Sequence, residues 1–330
     1  MLGLPQKALP TMPNPQRLAE RHRVVPLLWH ALNIGDGEID PVAREELRKD
    51  MRRSKLLGLR QKATEISFAR LLQREGISNI QVKGPHLGQI LFGMEDLRQS
   101  KDIDLLIEED RIMDAVELAA RSGYVSSAGA PIDTARVRRL LRFHREIEIR
   151  DPRTGCAIEL HWQLLETPPA GWDDRLFFTT PLTLSSPEYV LYLMLHGAAS
   201  HWHRMKWLAD LAMIARMVDE SVLRSVIGLA RTYDCLPALA ASFIACGNLW
   251  ERALVERWLA KIDLPPSDKR IARHCEAFER ALNREGVMER GELMARRFEV
   301  IRDAPLFGEN YPPRLPAIAR RTAYWLARRG

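Results

Sequence analysis

Residues 81–107 read QVKGPHLGQILFGMEDLRQSKDIDLLI, and this stretch decides the fold. A short apolar strand runs into Lys83-Gly84, a helical or looped passage follows, and a second strand carries Asp102 and Asp104 with one apolar residue between them. Side chains alternate across a strand, so the two carboxylates leave on one face while Ile103 and Leu105 leave on the other. Two carboxylates side by side repel unless a cation sits between them, and Mg²⁺ is the cation suited to carboxylate and phosphate oxygens together. Leu105-Leu106-Ile107 puts the pair at the entry of a buried strand, and Gly84 lets backbone come close to a ligand.

Working outward, Asn14-Pro15 starts a helix expected to run to about Asn33, and Asp40-Pro41 starts a long one that keeps helical spacing to Gly76. Ile77 to Lys83 reads as the first strand and Pro85 to Phe92 as a short helix ended by Gly93. Glu109 to Ser122 reads as a helix closed by Gly123, Tyr124-Val125 as a short strand, and Pro131 to Leu141 as an arginine-rich helix. Phe143–Ile149 and Cys156–Leu164 alternate around Asp151-Pro152-Arg153-Thr154-Gly155, which predicts an antiparallel hairpin. In its second strand Ile158, Leu160 and Trp162 share one face, and Glu159 and His161 the other.

Pro168, Pro169, Gly171 and Pro181 give residues 168–186 the composition of a linker, and beyond it the chain reads as helical. Ser186-Pro187 is expected to open one amphipathic helix reaching Val218. Glu220 to Arg231 and further segments around Leu239, 249–260 and 271–282 also read as helices. The predicted organisation is therefore an N-terminal helical extension over 1–44, a catalytic domain over 45–167, the linker, and a helical domain over 187–330.

Composition bounds the class. The 330 residues are 46% hydrophobic and 28% charged, as in a globular protein of two ordinary domains. The net charge of +6 comes mostly from arginine, since there are nine lysines. Many arginines alternate with Glu and Asp along helices, the pattern of a solvated face rather than a dedicated nucleic-acid surface. Cys156, Cys235, Cys246 and Cys275 are scattered, which excludes a zinc knuckle and a disulfide framework. No apolar segment reaches the ~18 residues a spanning helix needs, and the expected location is the cytoplasm. His196, His201 and His203 cannot all converge from one helix, so they predict no zinc site. The basic stretch 314–329, with Tyr324 and Trp325, reads as a terminal helix that either docks on its own domain or lies on a membrane surface.

These residues carry a resemblance. Lys83-Gly84, then Leu97-Arg98-Gln99-Ser100-Lys101-Asp102-Ile103-Asp104, then Ile158-Glu159-Leu160-His161-Trp162, resemble the DNA-polymerase-β-type nucleotidyltransferase superfamily, and within it a bacterial branch of poorly characterised nucleotidyltransferases. His196-Gly197 and Trp207-Leu208-Ala209-Asp210 extend the likeness to about residues 45–215. The resemblance implies an α+β fold: a polymerase-β-like mixed sheet with flanking helices, and a C-terminal all-helical domain that closes over a nucleotide. It implies Asp102 and Asp104 as metal ligands with a third carboxylate from a neighbouring strand, which maps to Glu159, with Glu148 as the alternative. Two Mg²⁺ ions, or Mn²⁺, would serve a nucleoside triphosphate, ATP by default, and the reaction would move a nucleoside monophosphate to an acceptor and release pyrophosphate.

The superfamily's usual Gly-Ser is Gly84-Pro85 here, and Asp102 follows Gly84 at a longer spacing than usual. The branch with Lys before Gly shares both features, which makes Lys83 the candidate phosphate contact, with Ser100 and Arg98 as others. Arg204, Lys206, His196 or Asp210 would face the nucleotide from the helical domain, and His161 and His86 are neighbours that reach the same region. The acceptor expected is a small molecule, peptide or protein rather than nucleic acid. The competing expectation is a binding or regulatory module, in a biosynthetic or toxin–antitoxin system, that kept the fold and lost the chemistry.

Overall fold

The computed structural model describes residues 15–35, 39–141, 144–165, 168–200, 202–247 and 252–262, with short pieces at 271–272 and 275–276. The stretch 314–329 and His201 lie outside these residues. Helices α1 (Pro15–His22) and α2 (Val25–Ile34) precede α3 (Pro41–Arg74). Asp40 caps α3 by accepting from the amides of Val42 and Ala43, which satisfies two of the donors every helix start leaves open. At ~1.5 Å per residue α3 is about 50 Å long.

A five-stranded mixed sheet follows, in the order β1-β2-β5-β4-β3. Its strands are β1 (Asn79–Gln81), β2 (Ile103–Ile107), β3 (Val125–Ser126), β4 (Glu146–Arg150) and β5 (Ala157–His161). Between them lie α4 (Pro85–Phe92), α5 (Ile112–Arg121) and α6 (Thr134–Leu140). The β4–β5 hairpin is antiparallel, as its alternation and its Asp-Pro…Gly turn predict. β2 pairs β1 antiparallel but pairs β5 in parallel, so the two central strands bring together residues more than fifty positions apart.

Each face of the sheet has its own core. Ile103, Leu105, Ile107, Ile149, Ile158 and Leu160 pack with Phe68 and Leu72 of α3 and with Val116 of α5. Leu106 instead joins Val82 and the C-terminal helices. A side chain buried this completely stabilises by about 1.5–3 kcal/mol, so the apolar face is fixed firmly and the alternate positions are forced onto the other face.

The C-terminal part comprises α7 (Pro187–Ala199), α8 (Met205–Met217), α9 (Glu220–Thr232), α10 (Leu236–Gly247) and α11 (Arg252–Leu259). α7 lies over the carboxylate face: Tyr189 Oη donates to the Val82 carbonyl at 2.8 Å.

Two expectations are corrected. The helix expected from Asn14 to Asn33 breaks at Arg23, whose φ of 55° is left-handed, and Pro26 sits in the first turn of α2. The helix expected from Pro187 to Val218 is two, because the chain turns at Trp202, φ 41°. The Trp202 indole is buried against Gly197, where a Cβ would come within 2.4 Å of its Nε1, so this glycine is what lets α7 and α8 meet at a corner. The linker 168–186 is a packed segment with a 3-10 helix at Asp174–Phe178. Trp172 and Phe177 enter the core, and buried Asp174 accepts from the Leu164 amide and the Trp172 indole, both at 2.8 Å. The aromatic anchors outweigh the prolines.

His22 ties α1 to the helical part. It is buried, and its Nδ1 accepts from the Met205 amide at 3.3 Å. Burial, then the charges of Arg21 and Arg204, lower its pKa from 6.5 to about 4. An unfolded imidazole takes up a proton below 6.5 while the folded one resists, so the stability present at neutral pH should drain away as pH falls from 6.5 towards 4. Melting followed by tryptophan fluorescence should show this acid slope in the wild type and a flatter one in His22→Gln. Equal slopes would remove His22 as the cause.

Candidate functional site

The site begins with the Lys83-Gly84 turn. Gly84 adopts φ 73°, ψ −138°, a conformation that side chains other than glycine's resist. Pro85 then starts α4 with a fixed φ. This sharp reversal drives Lys83 inward rather than to solvent. Its Nζ lies 3.5 Å from Asp104 Oδ1 and 6.0 Å from the Tyr192 ring centre. Burial works against its charge, but Asp104 outweighs that and the ammonium is held more firmly than in water.

The central strands supply the carboxylates. Parallel pairing sets Asp104 against Glu159 and Leu106 against His161, and the hairpin sets Glu159 against Glu148 and His161 against Glu146. Register partners share a face, so one row reads Asp104, Glu159, Glu148 and the next Leu106, His161, Glu146. His161 Nε2 lies 3.1 Å from Asp104 Oδ1 and 3.5 Å from Glu159 Oε2, and its Nδ1 lies 3.2 Å from Glu146 Oε2.

Charge follows this geometry. Burial disfavours ionised Asp104, but Lys83 and His161 hold its carboxyl well below the usual range. Burial likewise opposes the His161 imidazolium, yet Asp104, Glu159 and Glu146 raise its pKa to about 9. Glu159 moves the other way, pushed up by burial and by repulsion from Asp102, Glu146 and Asp104 that its bond to His161 only partly offsets. Glu148 pairs along its own strand with Arg150 at 2.6 Å, one strand further from Asp104 than Glu159 is.

Ligand atoms of Asp104, Glu159 and His161 all lie within 4.8 Å of one another. Four acidic side chains, Asp102, Asp104, Glu146 and Glu159, repel within this small region. The donor set is that of a divalent cation, hard carboxylate oxygens with one imidazole, and such an ion would relieve a repulsion that Lys83 and protonated His161 otherwise balance.

The other candidates fall at measurable places. Asp102 sits one residue before β2, half-buried, with its carbonyl accepting from Ser100 Oγ at 2.8 Å and its Oδ1 3.5 Å from the same hydroxyl. Arg98 is buried and turned to Asp210, its Nε 3.1 and 3.0 Å from the two carboxylate oxygens and its Nη2 3.0 Å from Oδ2. Lys206 donates to the Gln99 carbonyl at 3.4 Å, and Arg204 donates to the Arg21 carbonyl. His86 Nε2 lies 3.1 Å from the Leu182 carbonyl. His196 is held neutral chiefly by burial and then by Lys83, with its ring 5.9 Å from that of Trp207. Lys83, Arg98, His196 and Asp210 line one enclosed cavity of about 20 Å³ with Trp202 and Trp207, room for about one water.

Glu146 and Tyr192 are site neighbours the sequence reading did not single out. For Glu146 a signal exists, since alternation in the first hairpin strand puts it on the face of Glu148. Tyr192 stands at 0% exposure in a run of apolar helix, where nothing local marks it.

A Lys-Gly turn, a mixed sheet and an acidic row at its centre make a nucleotidyltransferase-type α+β domain. Residues 14–251 match the family described as uncharacterised nucleotidyltransferase, and the chain belongs to that family. No curated protein and no solved structure matches it. Among the described residues, no helix is long and apolar enough to cross a membrane.

Proposed function

We propose that this chain is a cytoplasmic, metal-dependent nucleotidyltransferase that moves a nucleoside monophosphate from a nucleoside triphosphate, ATP by default, to a hydroxyl-bearing small molecule, peptide or protein. The observation that carries this reading is the register of the central strands, which sets Glu159 directly beside Asp104 with His161 and Lys83 against them. Residues 45–167 would carry the chemistry, and the helices from 187 onward would close over the nucleotide.

Asp102, Asp104 and Glu159 would hold Mg²⁺ or Mn²⁺, two ions during turnover, with His161 as a further donor. The bound cations would supply charge neutralisation on the phosphates and Lewis acidity. The acceptor oxygen forms its bond to the α-phosphorus as the bond to the bridging oxygen of pyrophosphate breaks. Glu159 takes the acceptor's proton, a role its raised pKa suits because the matched base lies nearer the working pH. Lys83 keeps its charge inside the fold and orients Asp104, while Arg204 and Lys206 approach from α8 and the turn before it. Ser100 shapes the turn that presents Asp102.

Calorimetry with a panel of nucleotides, with and without Mg²⁺, tests the reading. Metal-dependent binding of one triphosphate in the wild type and its loss in Asp102→Ala/Asp104→Ala is the expected result. A folded wild type that binds no triphosphate, in the presence of candidate acceptors as well, sinks the transferase reading in favour of a module that kept the fold without the chemistry.

A further inference from the structure

The break between α1 and α2 has a neighbour of unusual charge. Arg21 and Arg23 stand at that break, and Arg204 and Lys206 stand at the start of α8 against it. The contact is direct: Arg204 donates to the Arg21 carbonyl, and His22 receives the Met205 amide. Among the described residues, none of these four side chains pairs with a carboxylate. The nearest strong acid, Asp210, is committed to Arg98 by a fork of bonds.

Lys206 sharpens the point. It is 6% exposed, and its one hydrogen bond is the 3.4 Å contact to the Gln99 carbonyl. Its ammonium also lies 5.7 Å from the Trp207 ring centre, yet no carboxylate pairs with it among the described residues, and a buried ammonium without an ion-pair partner is costly. Burial, then Arg98 and Arg23, depress its pKa, and Asp102 is among the groups that partly restore it. Arg204 behaves alike, lowered to about 10 by burial, then Arg23 and Arg21, with Asp102 opposing. The cluster lies against the segment that leads into β2. The Lys206 bond to Gln99, three residues before Asp102, places it on the same segment.

We propose that the α1–α2 break and the start of α8 form a polyphosphate clamp, in which Arg23 and Lys206, supported by Arg21 and Arg204, bind the β- and γ-phosphates of the donor. The proposal rests on the transferase reading for the identity of the donor and assigns the N-terminal helices a direct part in binding it. A chain of phosphates spanning from the acidic row to this cluster would meet cations at both ends. It would give Lys206 the counter-charge it lacks, and several closely placed phosphate contacts are what positive side chains recognise best.

Inorganic tripolyphosphate, titrated calorimetrically at low salt without divalent metal, probes the clamp alone. The wild type should bind it, and ATP should compete with it. Arg23→Gly and Lys206→Met should each weaken binding roughly tenfold, the scale of one lost charged contact, whereas Arg23→Lys should keep most of it. Arg23→Gly is chosen because φ 55° favours glycine, so its melting temperature should not fall, and lost binding cannot be ascribed to unfolding. No tripolyphosphate binding by the wild type, or unchanged affinity in both variants, overturns the clamp. Binding that ATP does not displace overturns its assignment to the donor. Arg23-dependent binding displaced by ATP, to which Mg²⁺ adds no affinity, supports the clamp while the catalytic reading of the carboxylates fails.

Discussion

Asp104→Ala is expected to lower the unfolding free energy by about 3–5 kcal/mol, the usual result of removing one partner from a buried charge set, and to abolish metal-dependent nucleotide binding. The reason lies in what remains. Lys83 and His161 both turn to the same oxygen, Asp104 Oδ1, at 3.5 and 3.1 Å, and neither has water to fall back on. Against a total stability of about 5–15 kcal/mol for an ordinary domain, the loss is large. Glu159→Gln provides the contrast. Its carboxylate is disfavoured by burial and by its acidic neighbours, so the neutral amide should leave stability level or slightly higher. Turnover should still fall about 10²–10⁴-fold, the range for a lost general base. Denaturant melts of the two variants beside the wild type decide it; equal destabilisation by both would mean that Asp104 is no electrostatic keystone.

Asp210→Ala should cost a similar ~3–5 kcal/mol, although Asp210 is not one of the carboxylates of the acidic row. Arg98 is 5% exposed and Asp210 6%, and three contacts of 3.0–3.1 Å join the loop before β2 to α8. Losing the carboxylate leaves a guanidinium buried with nothing opposite it. The double variant Arg98→Met/Asp210→Leu, which replaces both charges by apolar side chains, should recover most of the loss, since a well-packed apolar pair is often no worse than a buried ion pair. Guanidinium melts of Arg98→Met, Asp210→Leu and the double variant form the cycle; additive losses would show that the two residues act independently.

Much of this was legible because local rules and the fold agree. Asp40-Pro41 begins α3 and Gly93 ends α4 in αL, and the alternation around residues 151–155 gives the hairpin. The two missed breaks have a common cause. Arg23 and Trp202 hold left-handed backbone, a position where sequence reading looks for glycine or asparagine; Trp202 is buried against Gly197, and the residues just before Arg23 are tied to the start of α8, contacts that only the folded chain supplies. The packing of the segment 168–186 was not legible, because its prolines are local signals while the burial of Trp172 and Phe177 is not. In the site, the carboxylates were readable from alternation. That Glu159 falls beside Asp104 depends on a parallel pairing between distant strands, and the closeness of His161 to Asp104 depends on the same register, which no local pattern encodes.

The sheet's outer strands are β1, three residues, and β3, two. A sheet grows by offering unpaired amides and carbonyls along an edge, and a long flat edge invites another chain to add itself. Here the longer, apolar strands are shut in the middle and the margins present almost no ladder to copy. The fold can therefore keep an acidic, self-repelling row at its centre without exposing a template for fibrous assembly when that row loosens the sheet.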